Sequence, residues 1–273
     1  MCLFSFSLSF IDSDYLQLIH GFYHVDGDLP MRTMAYQPEM REIVKKWFQM
    51  VSIVKEKGED IDNLSAEAMK AYEQYWQPFH QVQVDSALQA AKTHEKVVIT
   101  FGNGNQIVRE YVMLKLKEGG TTNVTMLYLT IDQDTKLEGL YHRTVQQAKG
   151  AGVSLSEALR EDWKHDRDPT KEEYKKLIDA PGKLGIFHFD PPPSYAKVVD
   201  VSSRDKAAMD AIDAALGLHR ASVCTESYDT IVTKVRAIDV KRDEDTPYCV
   251  AVFPEIEKEV EEALALAKTE DAV

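Results

Sequence analysis

Residues 96–131, KVVITFGNGNQIVREYVMLKLKEGGTTNVTMLYLTI, decide how the chain is built. Lys96-Val97-Val98-Ile99-Thr100-Phe101 is a short β-branched run between polar flanks, the pattern of a buried strand. Gly102-Asn103-Gly104-Asn105 breaks it, and Ile107, Val108, Tyr111, Val112, Leu114 and Leu116 then recur at helical spacing. Gly119-Gly120 stops that helix, Val124 to Ile131 predicts the next strand, and a helix over about Asp134 to Lys149 follows at once. This strand–helix–strand–helix alternation argues for an α/β protein with a parallel sheet and helices on both faces.

Outward from that stretch the same grammar continues. On the N-terminal side, residues 21–26 (GFYHVD) form a short strand-like run that ends in the turn signal Asp26-Gly27-Asp28. Met40, Ile43, Val44, Trp47, Phe48, Val51 and Val54 predict a helix from Pro38 to about Lys57, closed by Gly58. A second helical region runs from Ser65 towards His94, with Pro78 as the expected break. On the C-terminal side, residues 150–195 are rich in glycine, proline and charge, with one helical stretch around Ser154–Trp163. Lys197 to Val201 predicts one more buried strand, and Arg204 to Leu216 its helix, stopped by Gly217. Beyond it, Thr230–Val240 and Cys249–Phe253 read as two strands and Pro254–Lys268 as an amphipathic helix, a small α+β appendage over residues 219–273.

Composition narrows the function classes. The 273 residues are 44% hydrophobic and 28% charged, the balance of a folded globular chain. A formal net charge of -13 argues against a nucleic-acid surface, because an acidic protein repels a phosphate backbone. No apolar run reaches the length of a transmembrane helix, so no membrane partner is expected. Cys2, Cys224 and Cys249 share no metal-ligand spacing and are odd in number, which fits a reducing, cytoplasmic setting. The eight histidines, His24 and His142 among them, form no metal-type cluster and read as structural, so no metal site is expected. The opening MCLFSFSLSFI lacks a basic leader and a cleavage site, and its alternation reads as a strand.

The order of motifs resembles the gluconate kinase and shikimate kinase group of P-loop small-metabolite kinases. The resemblance is carried by Phe22-Tyr23-His24-Val25-Asp26-Gly27-Asp28, then Val97-Val98-Ile99-Thr100, then the helix bearing Arg109. It continues through Val124–Ile131, the segment Lys136-Leu137-Glu138-Gly139-Leu140-Tyr141-His142-Arg143, and Lys197–Val201 with Ser202-Ser203. It covers most of residues 14–218 and implies a three-layer P-loop NTPase-like sheet. It also implies that Asp26 or Asp28 orients or deprotonates an acceptor hydroxyl, a task suited to an ionised carboxylate. Arg32 and Arg109 would bind the substrate, Arg109 through its planar fork. Arg143 would be the lid arginine that meets the transferred charge, with Lys149 and Arg160 in reserve, and Ser202 and Ser203 would lie near the adenine. Outside the resemblance, Asp-Gly-Asp reads equally as a plain turn and Arg109 as a solvated helix residue.

The departure from that group is at the front of the chain. The pattern G-x-x-x-x-G-K-[ST] is absent; neither Gly102-Asn103-Gly104-Asn105 nor Pro181-Gly182-Lys183-Leu184-Gly185 has the spacing, and a dinucleotide fingerprint is not met. The first 20 residues contain neither glycine nor lysine. The first strand and phosphate loop are thus expected to be incomplete, with Asp14–His20 as the last turns of the first helix and residues 1–13 as a non-homologous segment. That state fits either an incomplete gene product or a degenerate relative. In its complete form the group takes ATP and magnesium, a nucleotide and a small hydroxy acid. This chain, without the loop, is expected to be inactive or nearly so. The alternatives are a non-catalytic binding or scaffold protein of the same fold, and another P-loop transferase such as a nucleotide monophosphate kinase.

Overall fold

The computed structural model describes residues 2–6, 11–34, 36–59, 61–100, 105–150, 152–159, 163–178, 191–203, 205–220 and 223–245. Five strands form one sheet: β1 (Cys2–Phe6), β2 (Tyr23–Val25), β3 (Val97–Thr100), β4 (Val124–Thr130) and β5 (Lys197–Asp200). Their order is β2-β3-β1-β4-β5 and every pairing is parallel. Parallel neighbours need crossover connections, and helices supply them. They are α1 (Ile11–His20), then α2 (Leu29–Thr33), α3 (Pro38–Glu56), α4 (Ala66–Ala71) and α5 (Glu73–Ala91), then α6 (Gln106–Glu118). α7 (Gln133–Gly150), α8 (Leu155–Ala158) and α9 (Lys171–Ile178) join β4 to β5, and α10 (Lys206–Leu216) and α11 (Tyr228–Asp245) follow the sheet.

Two expectations are corrected. The first strand is not missing: Cys2 to Ser5 pair with Val97 to Thr100 on one edge, and Cys2 to Phe6 with Val124 to Tyr128 on the other. The alternating opening run is therefore the central strand, and α1 is a ten-residue helix rather than the end of one. Thr230–Val240 is not a strand but the body of α11. Its β-branched residues raise strand propensity, yet Ile231 and Val235, four apart and both fully buried, share the helix face that packs on α1. Tertiary packing overrides propensity there. Cys249–Phe253 and Pro254–Lys268 lie outside the described residues.

Local chemistry sets most other limits. The Asn105 side chain caps α6 by accepting from Ile107 N, Asp205 caps α10 from Ala207 N, and Gly217 ends α10 at φ 66°. The break in the second helical region falls at Tyr72, not at Pro78, which sits inside α5. Trp76 Nε1 spans that break with a 2.8 Å hydrogen bond to Met69 O.

Strand residues alternate between two hydrophobic cores, as period-two geometry requires. Val97, Ile99, Met126 and Tyr128 enter a core with Met50, Val54, Val84, Val108 and Val112 of α3, α5 and α6. Val98, Leu127, Leu129 and Val199 enter another with Tyr15, Leu16, Met209, Ile212, Ile231 and Val235 of α1, α10 and α11. Inside the second core, the Tyr15 hydroxyl donates to Asp213 Oδ2 at 2.8 Å, and His20 Nε2 lies 2.9 Å from Asp213 Oδ1. Burial, and then the Asp213 carboxylate, push the Tyr15 phenol far above its ordinary range, so it stays a donor. This triad pins α1 to α10. Replacing Asp213 by Ala strands two buried polar groups and lowers unfolding free energy by about 1–3 kcal/mol. Tyr15→Phe, which removes only one bond, costs about 1 kcal/mol. Urea denaturation of the two variants checks both values and their order.

Candidate functional site

β1 and β3 are neighbours, but the helices that follow them diverge. α1 packs in the second core and α6 in the first. Such a divergence opens a crevice at the carboxyl ends of the strands, the place where open α/β sheets bind ligands. Four buried polar side chains meet there. Asp14 Oδ1 lies 3.4 Å from His24 Nδ1, His24 Nε2 is hydrogen-bonded to the Thr100 hydroxyl, and Thr100 Oγ1 is 2.9 Å from Ser13 Oγ. Ser13, Asp14 and Thr100 are 0%, 0% and 4% exposed. They come from α1, β2 and β3, up to 87 residues apart. No local signal in the sequence marks them. His24, read from the sequence as structural, is the link between Asp14 and Thr100.

The Asp26-Gly27-Asp28 turn follows β2, also at a carboxyl end, and the structure brings three of the sequence-predicted residues together in it. Asp26 Oδ1 accepts from Asp28 N at 2.8 Å, and Asp26 Oδ2 lies 2.7 Å from Arg32 Nε. The Leu29 and Arg32 amides bond Asp26 O and Asp28 O, starting α2 directly from the turn. Arg32 is buried and Asp26 nearly so, which strengthens their attraction and holds the carboxylate in one orientation. From behind, Gln83 Nε2 of α5 donates to Gly27 O at 2.5 Å, and Gln83 Oε1 accepts from His80 Nδ1 at 2.9 Å. Sequence reasoning did not find His80 or Gln83. Their i,i+3 spacing on α5 is the signal that was available.

The other expected residues lie on other elements. Arg109 of α6 is 1% exposed, with its guanidinium carbon 5.8 Å from the Tyr128 ring centroid, so it is a buried cation against β4 rather than a solvated helix residue. Ser202 ties two loops together: its hydroxyl accepts from Asp132 N at 2.7 Å and donates to Asp200 Oδ1 at 2.5 Å. Ser203 bonds Asp205, whose carboxyl it holds below the usual range. Arg143 lies on α7, its side chain outside the described positions, as is Arg160 altogether, and Lys149 is exposed in the last turn of α7. α7 is braced against α9 by Glu138 with Lys171, by Lys175 with Asp134 at 2.9 Å, and by Thr144 with Tyr174 at 2.8 Å. A cavity of about 660 Å³ lies at the opposite end of the strands, lined by Lys92, His94, Glu95 and Thr121, and holds none of the expected site residues.

The sequence carries no loop of the kind that grips the phosphates of ATP. Between the central strand and α1, where a phosphate loop would stand, the sequence is Ser7-Leu8-Ser9-Phe10, with no glycine and no lysine. In the first turn of α1, the place that favours an anion, stands the buried carboxylate of Asp14. Among the described residues, no group of three or more His, Cys, Asp or Glu is placed to hold a metal ion. Nor is any helix among them long and apolar enough to cross a membrane.

No family model and no curated protein matches the sequence. Several solved structures are similar to it, among them the following two. A tunicamycin resistance protein of Deinococcus radiodurans is 10% identical with a TM-score of 0.39, over 80% of this chain and 96% of that one. A gluconokinase of Sinorhizobium meliloti 1021 is 12% identical with a TM-score of 0.31, over 88% of this chain and 95% of that one.

His80 is the titrating group behind the turn. It is enclosed by Trp47, Phe79 and Trp76, and burial pushes its imidazole down to about 4, against a smaller upward pull from Gln83. In the unfolded chain it titrates at its ordinary value near 6.5, so between those values the unfolded state binds more protons. Its contribution is therefore complete above pH 6.5 and is lost as pH falls towards 4, about 3 kcal/mol over the window. In urea titrations at pH 7 and 4.5, His80→Phe is expected to lose markedly less stability than the parent chain. Equal losses would mean that His80 does not titrate in this way.

Proposed function

We propose that this chain is a P-loop kinase-like protein with a three-layer α/β build. It is related to enzymes that move the terminal phosphoryl group of ATP to a small hydroxy acid such as gluconate. In this chain the acceptor side is kept and the phosphate side is not. The observation that carries the proposal is the Asp26–Arg32 pair at the carboxyl end of β2, oriented by the Asp28 amide. A carboxylate fixed in this way is suited to accept a hydrogen bond from a substrate hydroxyl, and a guanidinium beside it to attract a substrate carboxylate. Arg109, Arg143, Ser202 and Ser203, which lie on other elements, keep the roles that the resemblance implies.

The polar cluster at the β1–β3 crevice supports the second half of the proposal. His24, Thr100 and Ser13 bond in a chain, with Asp14 3.4 Å from His24, where a kinase would present amides and a lysine to phosphate. A carboxylate there opposes an anion instead of stabilising it. Without the loop, the chief stabiliser of the transferring phosphoryl group is gone, on the order of several kcal/mol. The function that remains is recognition of a small hydroxy acid.

With radiolabelled ATP, magnesium and gluconate, the chain is expected to give phosphorylated product at the no-protein background, and robust turnover would overturn the proposal. Isothermal titration is expected to detect gluconate but not MgATP. Arg32→Ala should weaken gluconate binding about tenfold or more, the cost of a lost charged hydrogen bond. Unchanged affinity would remove Arg32 from the site.

A further inference from the structure

We infer that His80 and Gln83 of α5 are positioning residues for the acceptor turn. His80 sets the orientation of the Gln83 amide, and Gln83 holds the Gly27 carbonyl, so that the Asp26 carboxylate faces one way. The inference deepens the proposed function and rests on that reading of Asp26.

The argument from geometry has three links. Gly27 sits between the two acidic residues and is itself buried, so its carbonyl cannot turn to water and needs a protein donor. Gln83 Nε2 is that donor at 2.5 Å, reaching across 56 residues of sequence. An amide side chain can present either end, and only one end donates. His80 chooses it, because a ring N–H at Nδ1, 2.9 Å away, requires Gln83 to offer Oε1 and so leaves Nε2 for Gly27. The imidazole cannot rotate freely. Trp47 and Phe79 meet it edge to face, at 5.4 and 5.3 Å between ring centroids, and Trp76 lies 6.2 Å away. The low titration range of His80 keeps the ring neutral near pH 7.

The turn in front responds to that hold. The Asp28 amide donates to Asp26 Oδ1 and the Leu29 amide to Asp26 O, so both amides are protected only while the turn keeps its shape. A Gly27 peptide freed from Gln83 can rotate, and rotation carries the Asp28 N–H away from the Asp26 carboxylate. Gln83 and His80 are 2% exposed each, and Gln83 reaches the turn through this peptide.

The test uses the full chain and two variants of matched size. Gln83→Met removes both polar ends, and Gln83→Glu keeps the acceptor for His80 but, when ionised, has nothing to donate to Gly27. Amide exchange by NMR at pH 7 is expected to speed up about tenfold at Asp28 and Leu29 in both variants, the loss of one buried hydrogen bond, with β4 and α10 unchanged. Gluconate affinity by isothermal titration should fall about tenfold alongside. Unchanged exchange at Asp28 and Leu29 overturns the inference, and so does acceleration spread evenly over the sheet, which marks a merely structural role. If exchange rises locally but the parent chain does not bind gluconate, the positioning role stands and the acceptor reading fails. If the Met variant does not fold, the Glu variant and His80→Phe, which keeps the ring packing, decide by the same exchange readout.

Discussion

The strand Cys2–Phe6 is hydrogen-bonded along both edges, and the rest of the fold depends on that double pairing. Without it, β2-β3 and β4-β5 would be two separate two-stranded sheets, too small to cover a core from either side. Its central place also dictates the crossovers. From β1 in the middle, the path goes outward to β2, returns to β3, and crosses over β1 to reach β4. The helices on these paths leave to different faces, and the crevice between β1 and β3 is the geometric result.

That crevice is filled by polar side chains of the chain itself, unlike the phosphate loop of a P-loop kinase. A P-loop kinase leaves amides and a lysine there for phosphate to complete. Here Asp14, His24, Thr100 and Ser13 come together from three elements, with Thr100 bonded to both His24 and Ser13 and Asp14 beside the His24 ring. Buried polar groups that find no partner are costly, so the Thr100 hydroxyl is held between His24 and Ser13. The Asp26-Gly27-Asp28 turn is held from two sides. Its carboxylate is aimed by Arg32 from one side and, through Gly27, by α5 from behind.

Much of this was legible in residues 96–131, where period and punctuation place β3, α6 and β4 with little help from the rest of the chain. The limits of α3 and α10 follow from Pro38 and Gly217 in the same way. The opening run was legible as a strand but not as the central one, because strand order is a property of crossovers and not of composition. α11 was misread because Thr230, Ile231, Val232 and Thr233 favour a strand locally, while the surface that makes them a helix is α1, more than 200 residues earlier. In the site, Asp26, Asp28 and Arg32 were visible because they lie within one turn and its helix. Asp14, Thr100, His80 and Gln83 were not, because each acts on a residue brought near only by folding.

By itself, the sequence determined the alternation of strands and helices, the acidic charge, the Asp-Gly-Asp turn and the absence of a phosphate-loop pattern. Those are short-range properties, written in period, composition and spacing. Only the tertiary structure decided that the first residues form the centre of the sheet, that α11 is a helix, and that Asp14 and His24 occupy the crevice. The physical reason is the same in each case. Backbone pairing and buried polar bonds are satisfied between distant segments, and a distant partner leaves no trace in the local pattern.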